Sequence, residues 1–190
     1  MGGMRAGAER ARFFLTAAAV LLGCAALAAR PAGGPTASGL PDISLIVVVV
    51  VGMIGVTAPV PSQSENLLGR VQWSAAVVLG VAAFAAARLL TAPIGPPVTA
   101  LAAASTLVAA VAEEAFFRRL VYGWLAGGGP ALAVVGAAAL FAAVHLPAYG
   151  MRALPVDLAA GIMFGWQRLA TGGWTAPALT HAAANLLQLI

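Results

Sequence analysis

The sequence predicts an all-α fold: a polytopic transmembrane bundle of about seven spans, with an active site buried between helices. Three observations point there. Of 190 residues, 62% are hydrophobic and only 8% charged, and the mean hydropathy is +0.97, outside the range of a soluble domain. Glycine-, proline- and polar-rich breaks divide the chain into apolar runs with no soluble domain, internal repeat or long linker between them. A helix needs about 20 apolar residues to cross a hydrocarbon core of roughly 30 Å, so the length accommodates about seven crossings and little else.

The first run, Phe13 to Ala29, follows Arg5, Arg10 and Arg12, so the positive-inside rule places the N-terminus in the cytoplasm. It has the outline of a signal peptide, with "LLGC" at Leu21 to Cys24 and "ALAA" at its end. Its length and the further spans behind it favour an uncleaved first helix. The second run, Ile43 to Ala58, lies between "RPAGGPTASGLPD" and "PVPSQSEN", and the third, Val71 to Leu90, stops at "TAPIGPP". The fourth, Val98 to Ala126, turns at "GGGP" into the fifth, Ala131 to Leu146, which ends at "PAYGMR". Leu154 to Ala170 and Trp174 to Ile190, separated by "TGG", complete the set. An odd number of spans leaves the C-terminus outside. Arg70, Arg118, Arg119 and Arg168 then lie toward the cytoplasm, and Arg30, Arg88 and Arg152 toward the other face. Residues 1–190 read as one membrane domain.

The net charge of +4 comes from arginines scattered at helix ends, with no lysine, which is no footprint for nucleic acid. Cys24 is the only cysteine, which excludes an internal disulfide or a cysteine-rich metal site. The alanine-rich, lysine-free composition suggests a bacterium of high genomic GC content, and hence its plasma membrane.

Within the fourth run, "VAAVAEEAFFRRLVYGW" sets two carboxylates and two guanidinium groups in apolar surroundings. An ionisable group at the centre of a membrane helix costs on the order of 2.5 to 3.5 kcal/mol, so such groups face a bundle interior and act there. The bland alternative, a solvated cap, conflicts with the apolar character resuming at Phe116, Phe117, Leu120, Val121, Trp124 and Leu125. Glu114 and Arg118 are four apart and share a helix face, while Glu113 points about 100° away toward another partner. Arg119 reads as a topology or headgroup contact.

Two histidines occur, His145 and His181, both in later apolar runs. A lone histidine in a helix is more often a packing residue, but a hairpin turning at Gly128 carries His145 to the depth of Glu113. A second hairpin near Gly172 returns His181 and Asn185, on one face, with Asn185 near the level of Glu114 and Arg118. A carboxylate beside a histidine in a low-dielectric pocket can take up and deliver a water proton, and an imidazole and a carboxamide can donate to an oxyanion.

At these residues the chain resembles the CPBP, or Abi, family of intramembrane glutamic proteases, which includes CAAX prenyl endopeptidases and bacteriocin-processing enzymes. Three motifs match in order: E-E-x-x-x-R as "EEAFFR" from Glu113, F-x-x-x-H as "FAAVH" ending at His145, and H-x-x-x-N as "HAAAN" from His181 to Asn185. "GIMFGWQRLATGGWTAPALTHAAANLL" resembles the family's glycine-rich helix, with Gly161 and Gly165 as a small-xxx-small pair. The likeness covers residues 101–188; residues 1–100 carry no diagnostic motif. It implies that Glu113 with His145 activates water for attack on a peptide carbonyl. It further implies that His181 and Asn185 hold the oxyanion, and that Glu114 and Arg118 support the site. No cofactor or metal is implied, and the partners are a peptide or protein substrate and membrane lipid, not nucleic acid.

Other classes remain open at this stage. A non-proteolytic scaffold or bacteriocin-immunity protein would keep the motifs only for its fold. A zinc-dependent protease would use the two histidines and two glutamates as ligands, although H-E-x-x-H is absent. A proton-coupled carrier predicts two related halves, and the sequence has none.

Overall fold

The computed structural model describes residues 2–30, 43–60, 70–90 and 99–189. Most of the three breaks before the fourth run, together with Val98 and Ile190, lies outside the described residues. The described residues form seven helices: α1 (Gly2–Ala28), α2 (Ile43–Thr57), α3 (Arg70–Leu89), α4 (Ala100–Gly128), α5 (Pro130–Tyr149), α6 (Leu154–Thr171) and α7 (Thr175–Leu187). Each falls on one apolar run of the sequence.

Local chemistry sets the ends. The Thr99 hydroxyl caps α4 by accepting from the Ala102 amide at 3.2 Å. Gly129, at φ 103°, makes the turn from α4, and Pro130 opens α5 where its missing N–H costs nothing. Gly172, left-handed at φ 71°, closes α6 and starts the second hairpin.

Among the described helices, α1, α3, α4 and α5 are long and apolar enough to cross a membrane, while α2 has 15 residues and α7 has 13. At 1.5 Å per residue α7 rises about 20 Å. Every helix turns large apolar side chains outward, among them Phe14, Met53, Leu79, Val108, Leu132, Val156 and Leu179. So many exposed apolar faces suit a lipid solvent.

The core forms around α4, where Phe116, Phe117, Leu120 and Val121 are fully buried. Small residues let neighbouring backbones touch. A Cβ on Gly161 would stand 2.9 Å from Ala138 Cα, and one on Gly165 would stand 3.1 Å from Val134, so the small-xxx-small pair of α6 lies against α5. Gly55 brings α2 against α4 in the same way, its notional Cβ 2.6 Å from the Ala115 carbonyl. Gln167 ties three helices by donating to the Ala76 carbonyl of α3 at 2.8 Å and the Thr180 hydroxyl of α7 at 2.9 Å.

Two features depart from a regular seven-helix reading. Helix α4 is not uniform: Ala115–Val121 is π-helical between α-helical turns, and six of those seven residues are buried. Arg119, expected at the headgroups, instead donates to the Gly55 and Ala58 carbonyls. The C-terminal carbonyls of a helix lack intrahelical donors, and the guanidinium supplies them for α2.

Candidate active site

Glu113 and Glu114 end the first α-helical part of α4, so they leave it in different directions and meet different partners. His145, on α5, brings its Nε2 to 3.7 Å from Glu113 Oε1. Its Nδ1 lies 2.7 Å from the Phe141 carbonyl. A carbonyl only accepts, so Nδ1 carries a proton, and Nε2 is the ring nitrogen that faces the carboxylate. At 3.7 Å the two groups are beyond a direct hydrogen bond but close enough to contact one water together.

Glu114 is fully buried and divides its oxygens. Oε1 accepts from His181 Nδ1 at 2.9 Å, and Oε2 stands 3.2 Å from Arg118 Nε. That second contact is off the hydrogen-bond line, so it is an ion pair held by charge. Arg118 also donates from Nη2 to the Gly161 carbonyl at 3.2 Å. Its guanidinium lies over the rings of Phe141 at 4.8 Å and Phe164 at 5.2 Å, which favours a cation in so dry a place.

The structure thus places Glu113 with His145, and Glu114 with Arg118 and His181. Counting residues sets Asn185 at the level of Glu114, whereas the carboxylate meets His181, one turn earlier. An offset of one turn, about 5.4 Å, is within what helix tilt produces and a residue count ignores. Asn185 is half-buried, and its carboxamide makes no hydrogen bond among the described residues. With Nδ1 committed to Glu114, His181 keeps only Nε2 for other work.

Residues that the sequence left unassigned complete the site. Phe141, the aromatic of F-x-x-x-H, is its hub, with ring centroids 5.3 Å from Phe117, 4.5 Å from His145 and 5.9 Å from His181. Tyr149 stacks on His145 at 5.6 Å. Asp157, in the first turn of α6, feels the charges of Glu113, His145, His181 and Arg30, and its Oδ2 is buried without a hydrogen bond. Arg30, read from sequence as a flanking charge, turns inward and donates from Nη1 to Glu113 Oε1 at 2.8 Å. Its signal was spacing: Thr16, Val20, Gly23 and Leu27 are the buried seam of α1, and Arg30 is the next step of the same three-and-four repeat. Among the described residues, no three His, Cys, Asp or Glu side chains are arranged to hold a metal ion.

These features define a class: a helical membrane bundle with an ionisable glutamate and histidine site enclosed between its helices. Residues 95–187 match the family model described as type II CAAX prenyl endopeptidase Rce1-like, and this segment carries the whole glutamate and histidine site. The match covers just under half of the 190 residues. No curated protein and no solved structure matches the chain.

Proposed function

We propose that the protein is an intramembrane endopeptidase of the glutamic type, hydrolysing a peptide bond in or near the bilayer. The observation that carries this reading is the pairing of Glu113 with Nε2 of His145, which in the neutral ring is the acceptor nitrogen. A water held between them loses a proton to the pair and attacks the scissile carbonyl, and the pair returns the proton to the leaving amine. His181 Nε2 and the free carboxamide of Asn185 stabilise the oxyanion. With Nδ1 donating to Glu114, His181 can donate from Nε2 only as the imidazolium. Glu114 and Arg118 hold His181 in place. The substrate is a peptide or protein reached through lipid, with no metal or cofactor taking part.

The N-terminus lies in the cytoplasm and the host is a bacterium. Protein prenylation is not expected in that setting, so maturation or degradation of a peptide, or immunity to a bacteriocin, is the role we favour over cleavage of prenylated proteins.

The test is reconstitution in lipid with a quenched fluorescent peptide library, comparing wild type with Glu113→Gln, each with and without a chelator. Loss of a general base lowers turnover by about 10²- to 10⁴-fold, and chelator leaves the wild type unchanged. Equal turnover by both proteins refutes the glutamate mechanism, and a wild type without turnover leaves the scaffold reading. Chelator-sensitive turnover refutes the metal-free one.

A further inference from the structure

Two guanidinium groups, Arg30 and Arg118, reach the two glutamates of the site. Glu114 has Arg118 from its own helix. The guanidinium that faces Glu113 comes from 83 residues away, just beyond the end of α1 and outside the family-matched segment. We propose that Arg30 is a positioning residue for Glu113, and that α1 is thereby part of the catalytic unit; this rests on the reading of Glu113 as the base.

Three observations support the assignment. Both side chains are only 7% exposed, so the pair is shielded from screening by water. Arg30 takes Oε1, the same oxygen that faces His145, and so fixes the rotation of the carboxylate against the histidine. The depth of Arg30 is set by packing: Gly23 lies directly against the Phe116 ring, and Val20 and Leu27 are each 1% exposed. The Arg30 amide bonds back to the Leu27 carbonyl at 3.4 Å, continuing the turn. The Arg30 guanidinium, 2.8 Å from the carboxylate, gives it a charged partner in otherwise apolar surroundings.

A merely structural arginine, present to neutralise Glu113 during insertion, gives the same ion pair but a different kinetic signature. The experiment compares wild type, Arg30→Ala, Arg30→Lys, Leu27→Ala and Glu113→Gln, reconstituted in lipid, on one quenched peptide cleaved by the wild type. Arg30→Ala is expected to lower kcat by roughly 10- to 100-fold with KM little changed, the effect of a misplaced catalytic group. Millimolar guanidinium restores part of that loss, and Arg30→Lys retains part of the activity. Leu27→Ala, which loosens the same helix, gains nothing from guanidinium. Wild-type or faster turnover by Arg30→Ala overturns the proposal, as does a loss insensitive to both guanidinium and lysine and equal to that of Leu27→Ala at matched thermal stability. Turnover by Glu113→Gln at the wild-type rate instead removes the reading of the base, whatever Arg30 does.

Discussion

Replacing Arg118 with methionine tests whether the supporting pair acts as a unit. Arg118 and Glu114 are both fully buried, and the charges meet at 3.2 Å. Arg118→Met removes the ion pair, the donor to the Gly161 carbonyl and the cation over three aromatic rings. It leaves Glu114 with His181 as its remaining partner. Breaking a buried pair from one side costs about 3 to 5 kcal/mol, because the surviving charge stays buried. For a chain of this size each kcal/mol moves the midpoint of thermal unfolding by about 2 to 4 °C, so the variant should melt roughly 6 to 20 °C below wild type. Removing both charges in Glu114→Gln with Arg118→Met should recover most of that loss, since a glutamine can still accept from His181 and methionine fills much of the space. The assay is thermal unfolding in detergent micelles for the wild type, both single variants and the double variant. A double variant no more stable than Arg118→Met alone refutes the coupling, as does a single variant that melts with the wild type.

Two further predictions follow from packing. Gly161→Val should separate α5 from α6, because its branched side chain meets the Ala138 backbone where even a Cβ would be too close. Overpacking of this kind costs about 1 to 3 kcal/mol, and Gly136→Ala is the control, since the added Cβ meets only the flexible end of Leu125. Both are read as melting temperature, and an unchanged Gly161→Val would contradict the close approach. Gln167→Ala should cost about 1 to 3 kcal/mol by leaving the Ala76 carbonyl and Thr180 hydroxyl without its amide, and hydrogen exchange should rise at the α3–α7 contact. No change in exchange there would sink it.

The helices were legible because hydropathy and glycine–proline punctuation are local signals, and all seven described helices lie where the apolar runs do. The meeting of Glu113 with His145 was legible for a similar reason: one tight turn near Gly128 makes depth a matter of counting. His181 shows where counting stops, since it reaches Glu114 through a second hairpin whose helices tilt. Arg119 and Asp157 were harder. Their partners, the carbonyls of α2 in one case and the charges of α1, α4, α5 and α7 in the other, are set by packing between distant segments. Arg30 sits between these extremes, because its place on the buried seam of α1 can be read from the spacing, but the identity of the helix facing that seam cannot.

The π-helical stretch has no such signature, yet it governs how α4 serves two ends of the site. Bonds from i to i+5 lower the rotation per residue, so side chains in and after the stretch leave the helix in directions that a regular α-helix would not give them. Of Ala115–Val121 only Arg119 escapes full burial, and it caps α2. A regular helix would bury one stripe and send the rest to lipid. Here Phe116 packs against α1, Phe117 against Phe141 of α5, and Arg118 against Gly161 of α6. The segment just after the two glutamates is therefore enclosed by four other helices at once, α1, α2, α5 and α6. That enclosure keeps water scarce around Glu114 and Arg118, and leaves Glu113, at its edge, beside His145 and Arg30.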